Sequence, residues 1–245
     1  MRIRSVLHAL RDLCYPGKCV QCAEVCDGAS PLCEVCLDQL VHLEEVPHCA
    51  ACAMTLAYPS APCPHCQGKG PVLLDRVVRL GPFEDPIKTI IHRVKYNGLW
   101  PLGEYLADRL LELEPAKALL SETNLLIPVP LHPLRQIERG YNQAAVIARR
   151  LGKRCRIKTA EPVIRLRRTE TQTHMHAPTR REANLREAFG LTSAKQVTGK
   201  HVVIVDDVYT SGATLRAVAR AVRSGAPASV SAVVIGVAEP RSQRK

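Results

Sequence analysis

The chain has 245 residues, enough for one α/β domain and a small accessory module. Its net charge of +11 and pI near 9.3 favour a polyanionic partner. Aromatic residues make up only 4 % of the chain, so Val, Leu, Ile and Ala must supply the core. No segment approaches the ~18 apolar residues of a membrane-spanning helix, which argues against an integral membrane protein.

Residues 1–16 are predicted to form an amphipathic helix. Their apolar side chains recur on one helical face, while His8, Arg11 and Asp12 interrupt the continuous apolar core that a signal peptide requires. We expect this helix to pack on the body of the protein, with binding to a membrane surface as the alternative. Because no export signal is recognisable, the expected location is cytoplasmic.

Residues 17–70 contain the pattern C-x2-C-x10-C-x2-C twice, the second copy displaced by thirty residues. Each C-x2-C turn delivers two thiolates from one side, and four thiolates match the tetrahedral coordination of Zn²⁺. Since all ligands are cysteines, neither site keeps an open position for catalysis. We therefore predict a small double zinc-ribbon module with two structural Zn²⁺ ions, held by Cys19, Cys22, Cys33 and Cys36 and by Cys49, Cys52, Cys63 and Cys66.

The cysteine pattern leaves two questions open. Either each repeat binds its own ion, or the pairs of the two repeats interleave around shared ions. A disulfide framework is the alternative to zinc, but it requires an oxidising compartment. The spare cysteines, Cys14, Cys26 and Cys155, are expected to be small buried residues.

Residues 72–240 alternate between strand and helix patterns, as in an α/β domain with a parallel sheet. The polar stretch 167–176 lacks apolar periodicity and is predicted to form a mobile hood. Strands are predicted at 72–80, 125–129, 163–166, 202–205 and 229–237, and helices at 85–96, 102–113, from 142, at 178–185 and at 215–223.

The predicted loop 131–140 is rich in proline and basic residues. Guanidinium groups bind polyanions through forked hydrogen bonds, which makes Arg135 and Arg139 candidates for contacts with a polyanionic ligand. From Arg135 to Lys158 there are eight Lys or Arg residues against one acid, Glu138. A solvated helix face is the alternative explanation of this basic run.

Residues 202–214, VVIVDDVYTSGAT, are the most informative segment. Four apolar residues predict a buried strand, and Asp206 and Asp207 follow at its carboxyl end, where open α/β sheets bind their ligands. Backbone N–H groups of the next loop can converge on an anion at a helix N-terminus. This order of strand, acid pair, loop and helix fits a ligand that carries both vicinal hydroxyls and a phosphate. The acid pair would bind the hydroxyls, and the phosphate would be bound by Thr210, Ser211, Gly212, Ala213 and Thr214.

This segment resembles, at all thirteen positions, the phosphoribosyl diphosphate (PRPP) motif of type I phosphoribosyltransferases. The resemblance implies an α/β fold with a parallel sheet flanked by helices, and binding of PRPP with Mg²⁺. The acid pair would hold the ribose 2- and 3-hydroxyls and the loop the 5-phosphate, and the resemblance implies a diphosphate at Arg135 and Arg139. Enzymes of the 6-oxopurine salvage group carry an acid where Thr210 stands, which disfavours that chemistry. A strand that ends in two solvated acids and a tight turn is the alternative.

Further motifs resemble the ComF family of bacterial competence proteins from about Cys19 to the C-terminus. The motifs are the cysteine repeats, IHRVKYNG at 91–98, PVPLH at 128–132, RGYNQ at 139–143, Arg168-Thr169 with Gln172, and Arg181, Asn184 and Phe189. The resemblance implies a phosphoribosyltransferase-like protein with an N-terminal zinc segment that helps single-stranded DNA enter or be used in the cytosol. It adds Arg168 and Arg181 to the candidate contacts with a diphosphate or DNA.

Two functions remain open at this stage. The first is a DNA-handling protein that binds PRPP or a related ribose phosphate through an inherited site, with single-stranded DNA and the DNA-uptake machinery as partners. The second is an active phosphoribosyltransferase with an unknown acceptor, although no acid/base dyad or nucleophile can be assigned. A regulator that senses PRPP and binds DNA is a third, weaker possibility, since no helix-turn-helix pattern is recognisable.

Overall fold

A computed structural model of the protein describes residues 17–26, 28, 30–166 and 188–238. Its strands are β1 (Val77–Pro82), β2 (Leu125–Pro128), β3 (Lys158–Thr159), β4 (Val163–Arg165), β5 (Phe189–Leu191), β6 (His201–Tyr209) and β7 (Ser229–Val237). Its helices are α1 (Glu34–Glu45), α2 (Ile87–Tyr96), α3 (Pro101–Leu110), α4 (Glu114–Ser121), α5 (Pro133–Arg139), α6 (Gln143–Cys155) and α7 (Ala213–Arg223), with a 3₁₀ turn at Ala194–Gln196.

Five strands form a parallel sheet in the order β1-β7-β6-β2-β3, and β4 pairs with β5 in a separate antiparallel ribbon. The central strands β6 and β7 are apolar over long runs because helices cover both faces of the sheet. This arrangement confirms the predicted α/β fold with a parallel sheet flanked by helices. It also places the end of β6 in the middle of the carboxyl edge, between β2 and β7.

The two faces of β6 belong to different halves of the core. Val202 and Ile204 pack with the apolar side of α7, whereas Val203 and Val205 pack with α2, α3 and α6. Alternate residues of a strand point to opposite faces, so the same alternation carries Asp206 toward the α7 face and Asp207 toward the α2 face.

The cysteine-rich segment packs against both faces of the sheet beside edge strand β1. The first repeat and α1 join the α2 half of the core, and the second repeat joins the α7 half. Val77 donates a backbone hydrogen bond to Ala51 at 2.9 Å, and buried Arg79 donates to the Thr55 hydroxyl at 2.8 Å and to the Val46 carbonyl at 3.3 Å. The segment is therefore anchored on the sheet. The division into a cysteine module at 17–70 and an α/β domain at 72–240 remains a prediction.

Several predicted elements need correction. β6 runs on to Tyr209, so the acid pair lies within the strand rather than after it, because pairing with β7 continues to Tyr209 and Val237. The predicted loop 131–140 contains α5, which the sequence analysis missed because a helix of seven residues shows little periodicity. Helices α1 and α4 were also missed, and the first strand begins at Val77 rather than at residue 72.

Other predictions lie outside the described residues. They are the helix at 1–16, the hood at 167–176, the helix at 178–185, and the side chains of Cys14, Arg168 and Arg181.

Candidate functional site

The acid pair stands at the carboxyl edge of the sheet, in contact with the last turn of α2. Lys95 of α2 extends its ammonium group to Asp207, with 3.0 Å between Nζ and Oδ1. The backbone N–H of Asp207 donates to Asp206 Oδ1 at 2.9 Å. The two carboxyl groups thus have different surroundings, since Asp207 has a cation and Asp206 a backbone donor.

Burial strongly perturbs the first acid. It raises the pKa of Asp206 from its ordinary value of 3.8 to about 7, and the neighbouring charge of Asp207 acts in the same direction. The Asp207 N–H and the Lys95 charge oppose this shift. Near neutral pH the pair therefore carries less than two negative charges, and Lys95 offsets part of what remains. This edge can accept an anionic ligand more easily than two bare carboxylates.

The loop after β6 is short and held tightly. Gly212 has a φ of 72°, and a Cβ at this position would lie 2.5 Å from a ring carbon of Tyr209 and 2.8 Å from Nη1 of Arg216. The same Arg216 guanidinium donates to the Ser211 carbonyl at 2.9 Å. Both the backbone conformation and the close packing therefore require glycine here.

Helix α7 starts directly after this loop, at Ala213. The N–H groups of its first turn have no intrahelical acceptors, which makes a helix N-terminus suitable for an anion. Thr210 and Ser211 are exposed, Thr214 is half-buried, and Gly212 and Ala213 are buried. The structure thus brings the five predicted loop residues and the acid pair together at one end of β6.

The connection from β2 to α6 forms the neighbouring wall. His132 caps α5 by accepting from the Leu134 N–H at 3.2 Å. Asn142 caps α6 and donates to the Val129 carbonyl at 2.9 Å, which ties the start of α6 to the end of β2. Arg139 lies with its guanidinium carbon 5.2 Å from the centre of the Tyr96 ring, next to the end of α2 that carries Lys95.

Arg135 approaches a basic residue that the sequence analysis did not select. Burial lowers the pKa of the Arg165 guanidinium on β4, and the charge of Arg135 lowers it further. Arg165 also packs over Phe189 of β5, 5.5 Å from the ring centre. The β2–α6 connection and the β4–β5 ribbon therefore share a region of positive potential.

Lys95 and Arg165 are the two site residues that sequence reasoning missed. Lys95 lies within the motif at 91–98, but helix periodicity alone does not show which strand a lysine reaches. For Arg165 the sequence carries no distinct signal, because an arginine at a strand end is common.

The eight predicted ligand cysteines form two separate clusters. In each repeat the four sulfur atoms lie within 4.8 Å of one another, so each repeat assembles its own site and the interleaved scheme is wrong. Cys22 and Cys33 are 3.6 Å apart, Cys52 and Cys63 3.5 Å, all as free thiols. Tetrahedral Zn²⁺ with bonds of about 2.3 Å sets its sulfurs about 3.8 Å apart, so the donors fit structural Zn²⁺ well.

The second cluster lies beside the loop at residues 210–214. Tyr209, at the end of β6, belongs to the same core as Cys52 and Cys63, and its ring packs over Gly212. Burial raises the pKa of Tyr209. Tyr209 is therefore a buried residue packed between the loop and the second cysteine cluster.

Strand order, the acid pair at the carboxyl edge and the glycine loop before α7 define a phosphoribosyltransferase-like α/β protein. The phosphoribosyl transferase domain family matches residues 138–245. Competence protein F of Haemophilus influenzae is 31 % identical over 212 residues, which cover 84 % of this chain and 90 % of that protein. DNA utilization protein YhgH of Salmonella typhimurium is 32 % identical over 220 residues, covering 87 % and 94 %. The chain belongs to the ComF family, which includes these two proteins.

Among solved structures, the chain is similar to the glutamine PRPP amidotransferase of B. subtilis complexed with ADP and GMP. The likeness has a TM-score of 0.37 at 18 % identity and covers 56 % of this chain and 26 % of that one. None of the helices in the described ranges combines the length and apolar character that crossing a membrane requires.

Proposed function

We propose that the protein binds PRPP or a related ribose phosphate at the end of β6 and handles single-stranded DNA in competence or DNA utilization. The observation that carries the ligand proposal is the acid pair beside a glycine loop at a helix N-terminus. Asp206 and Asp207 would accept the ribose hydroxyls, and the N–H groups of 210–214 would surround the 5-phosphate. The cytoplasm is the proposed location.

The diphosphate of PRPP would extend toward the arginines of the adjacent wall. Arg135 and Arg139 lie on α5 at this wall, and Arg165 lies close to Arg135. Mg²⁺, when bound with the ligand, neutralises diphosphate charge. The arginines would contribute by fixing the orientation of the phosphate oxygens.

A surface beside this site supports the DNA proposal. We call it the aromatic-basic surface and define it as His92, Tyr96, Trp100 and Arg139. Tyr96 is 63 % exposed and Trp100 49 %, in a chain whose aromatic content is only 4 %. Exposed rings next to basic groups suit single strands, whose bases stack on aromatic side chains while phosphates meet cations. DNA-uptake proteins are proposed as further partners.

Calorimetry and fluorescence anisotropy test the two parts separately. We expect PRPP with Mg²⁺ to bind the wild type, and the double variant Asp206→Asn, Asp207→Asn to lose this binding. A labelled single-stranded oligonucleotide should bind with an affinity that falls steeply as salt rises. Failure of PRPP binding in the wild type would refute the ligand proposal, and failure of DNA binding even at low ionic strength would refute the DNA proposal.

Phosphoribosyl transfer to an unknown acceptor is the second candidate. It is favoured by the intact acid pair and loop, whereas Thr210 at the first loop position argues against 6-oxopurine salvage. The reaction would displace pyrophosphate from C1 of PRPP, and the same double variant should abolish its release. No turnover in a broad acceptor screen, with PRPP binding intact, would count against transfer.

A further inference from the structure

The ion pair between Lys95 and Asp207 is not an ordinary surface contact. The Lys95 side chain is only 21 % exposed and that of Asp207 14 %, while His92 and Arg93 on the same helix point to solvent. An ordered lysine loses side-chain entropy, and partial burial also removes water from its charge. The contact also joins residues far apart in the chain, at the point where the proposed ribose would bind.

The end of α2 is fixed on both sides of Lys95. Val94 is buried, and its carbonyl accepts a hydrogen bond from the Tyr141 hydroxyl. The Tyr96 ring lies under the Arg139 guanidinium, 5.2 Å from its central carbon. With its two neighbours held by Tyr141, just before α6, and by Arg139 of α5, the backbone at Lys95 has little freedom to rotate away from β6.

We infer that Lys95 is a positioning residue for Asp207, and that it makes the site select ribose phosphates over 2-deoxyribose phosphates. The inference rests on the proposed ribose-phosphate function. An ammonium group on Oδ1 fixes the plane of the carboxylate, so that Oδ2 faces one direction as an acceptor for a sugar hydroxyl. A site built around such an acceptor rejects a ligand that lacks the hydroxyl, because the buried group then has no partner.

Lys95 also affects charge, and the two effects differ in their consequences. Its positive charge attracts any sugar phosphate, so loss of charge weakens ribose and deoxyribose ligands alike. Loss of orientation weakens only the ligand whose hydroxyl needs the fixed acceptor. The ratio of the two affinities therefore reports on positioning, and a general electrostatic contribution leaves it unchanged.

Calorimetric titration with ribose 5-phosphate and 2-deoxyribose 5-phosphate tests the inference without any diphosphate. In the wild type we expect ribose 5-phosphate to bind about ten- to a hundredfold more tightly than 2-deoxyribose 5-phosphate, because the deoxy ligand leaves a buried acceptor without a hydrogen-bond donor. In Lys95→Met this ratio should fall to about threefold or less, and Lys95→Arg should restore part of it. Lys88→Met is the matched control, since Lys88 is exposed on the same helix and should leave the ratio unchanged.

The outcomes separate the inference from the function on which it rests. Absence of binding of either sugar phosphate by the wild type would refute the ribose-phosphate site itself. If the wild type binds both sugar phosphates with equal affinity, or if Lys95→Met keeps the wild-type ratio of the two affinities, only the role of Lys95 is refuted. Thermal unfolding and zinc content establish that each variant is folded. If the methionine variant is not, Lys95→Gln takes its place with the same expected loss of ratio.

Discussion

Substitution of Gly212 gives the sharpest test of the proposed phosphate site at residues 210–214. In Gly212→Ala the alanine must adopt the left-handed φ of Gly212, which costs about 1–2 kcal/mol for a residue other than glycine. It also meets the Tyr209 ring at 2.5 Å and Arg216 Nη1 at 2.8 Å, closer than real Cβ contacts. Overpacking of this kind costs about 1–3 kcal/mol, so we expect a total loss of about 2–5 kcal/mol in the free energy of unfolding.

Gly199→Ala is the matched control for this substitution. Gly199 also has a positive φ, of 67°, but a Cβ there would have no atom within 4 Å. Its alanine variant should show the conformational cost alone, about 1–2 kcal/mol, and bind PRPP as the wild type does. Urea unfolding gives the stabilities, and calorimetry gives the affinities.

The expected difference lies in both measurements. Gly212→Ala should be the less stable of the two and should bind PRPP at least tenfold more weakly, because the Ser211–Gly212 backbone must move to relieve the contacts. If the two variants are equally stable and both bind PRPP normally, then neither the packing of Tyr209 over Gly212 nor the assignment of the phosphate to this loop is correct.

Three further predictions concern pH, metal and DNA. The pKa of Asp206 is higher in the folded chain than in the unfolded chain, so the folded chain keeps this proton over a pH range in which the unfolded chain loses it. The free energy of unfolding of the wild type, relative to that of Asp206→Asn, should therefore fall as pH rises from about 4 to 7. Urea unfolding measures both, and a difference that does not change with pH would contradict this prediction. Cys63→Ser should weaken PRPP binding more than Cys22→Ser, because only the second cluster adjoins the loop at residues 210–214. Elemental analysis should show that each variant has lost one Zn²⁺. Equal PRPP affinities of the two variants would contradict this coupling. Tyr96→Ala should weaken single-stranded DNA binding several-fold at fixed salt in anisotropy titrations. Tyr58→Ala, which removes a ring of similar exposure (55 %) in the cysteine segment, should not. Equal effects of these two substitutions would mean that the aromatic-basic surface does not bind DNA.

Charged side chains of both signs lie close together at the candidate site. The carboxyl edge holds two acids, a lysine that approaches from α2, and arginines on the neighbouring wall. The proposed ribose phosphate would need acceptors for its hydroxyl groups and a reduced negative potential in the same place, and the pairing of Asp207 with Lys95 would supply both. Part of the basic excess behind the net charge of +11 therefore lies beside the acid pair.

The sequence by itself determined the features that depend on short spacing. Two C-x2-C-x10-C-x2-C repeats predicted two four-cysteine clusters, because a C-x2-C turn fixes its own local geometry. The strand, acid pair, glycine loop and helix of 202–214 predicted both the fold class and the position of the candidate site, because these elements follow one another directly in the chain. The short helix α5 was missed because too few residues were available to show a period.

Only the tertiary structure decided which distant residues meet. Lys95 reaches Asp207, Arg165 lies near Arg135, and Tyr209 packs between the loop and the second cysteine cluster because helices and ribbons settle on particular faces of the sheet. The same packing assigned each cysteine repeat to its own site. Such contacts depend on how whole layers fit together in space, which no local pattern of residue types encodes.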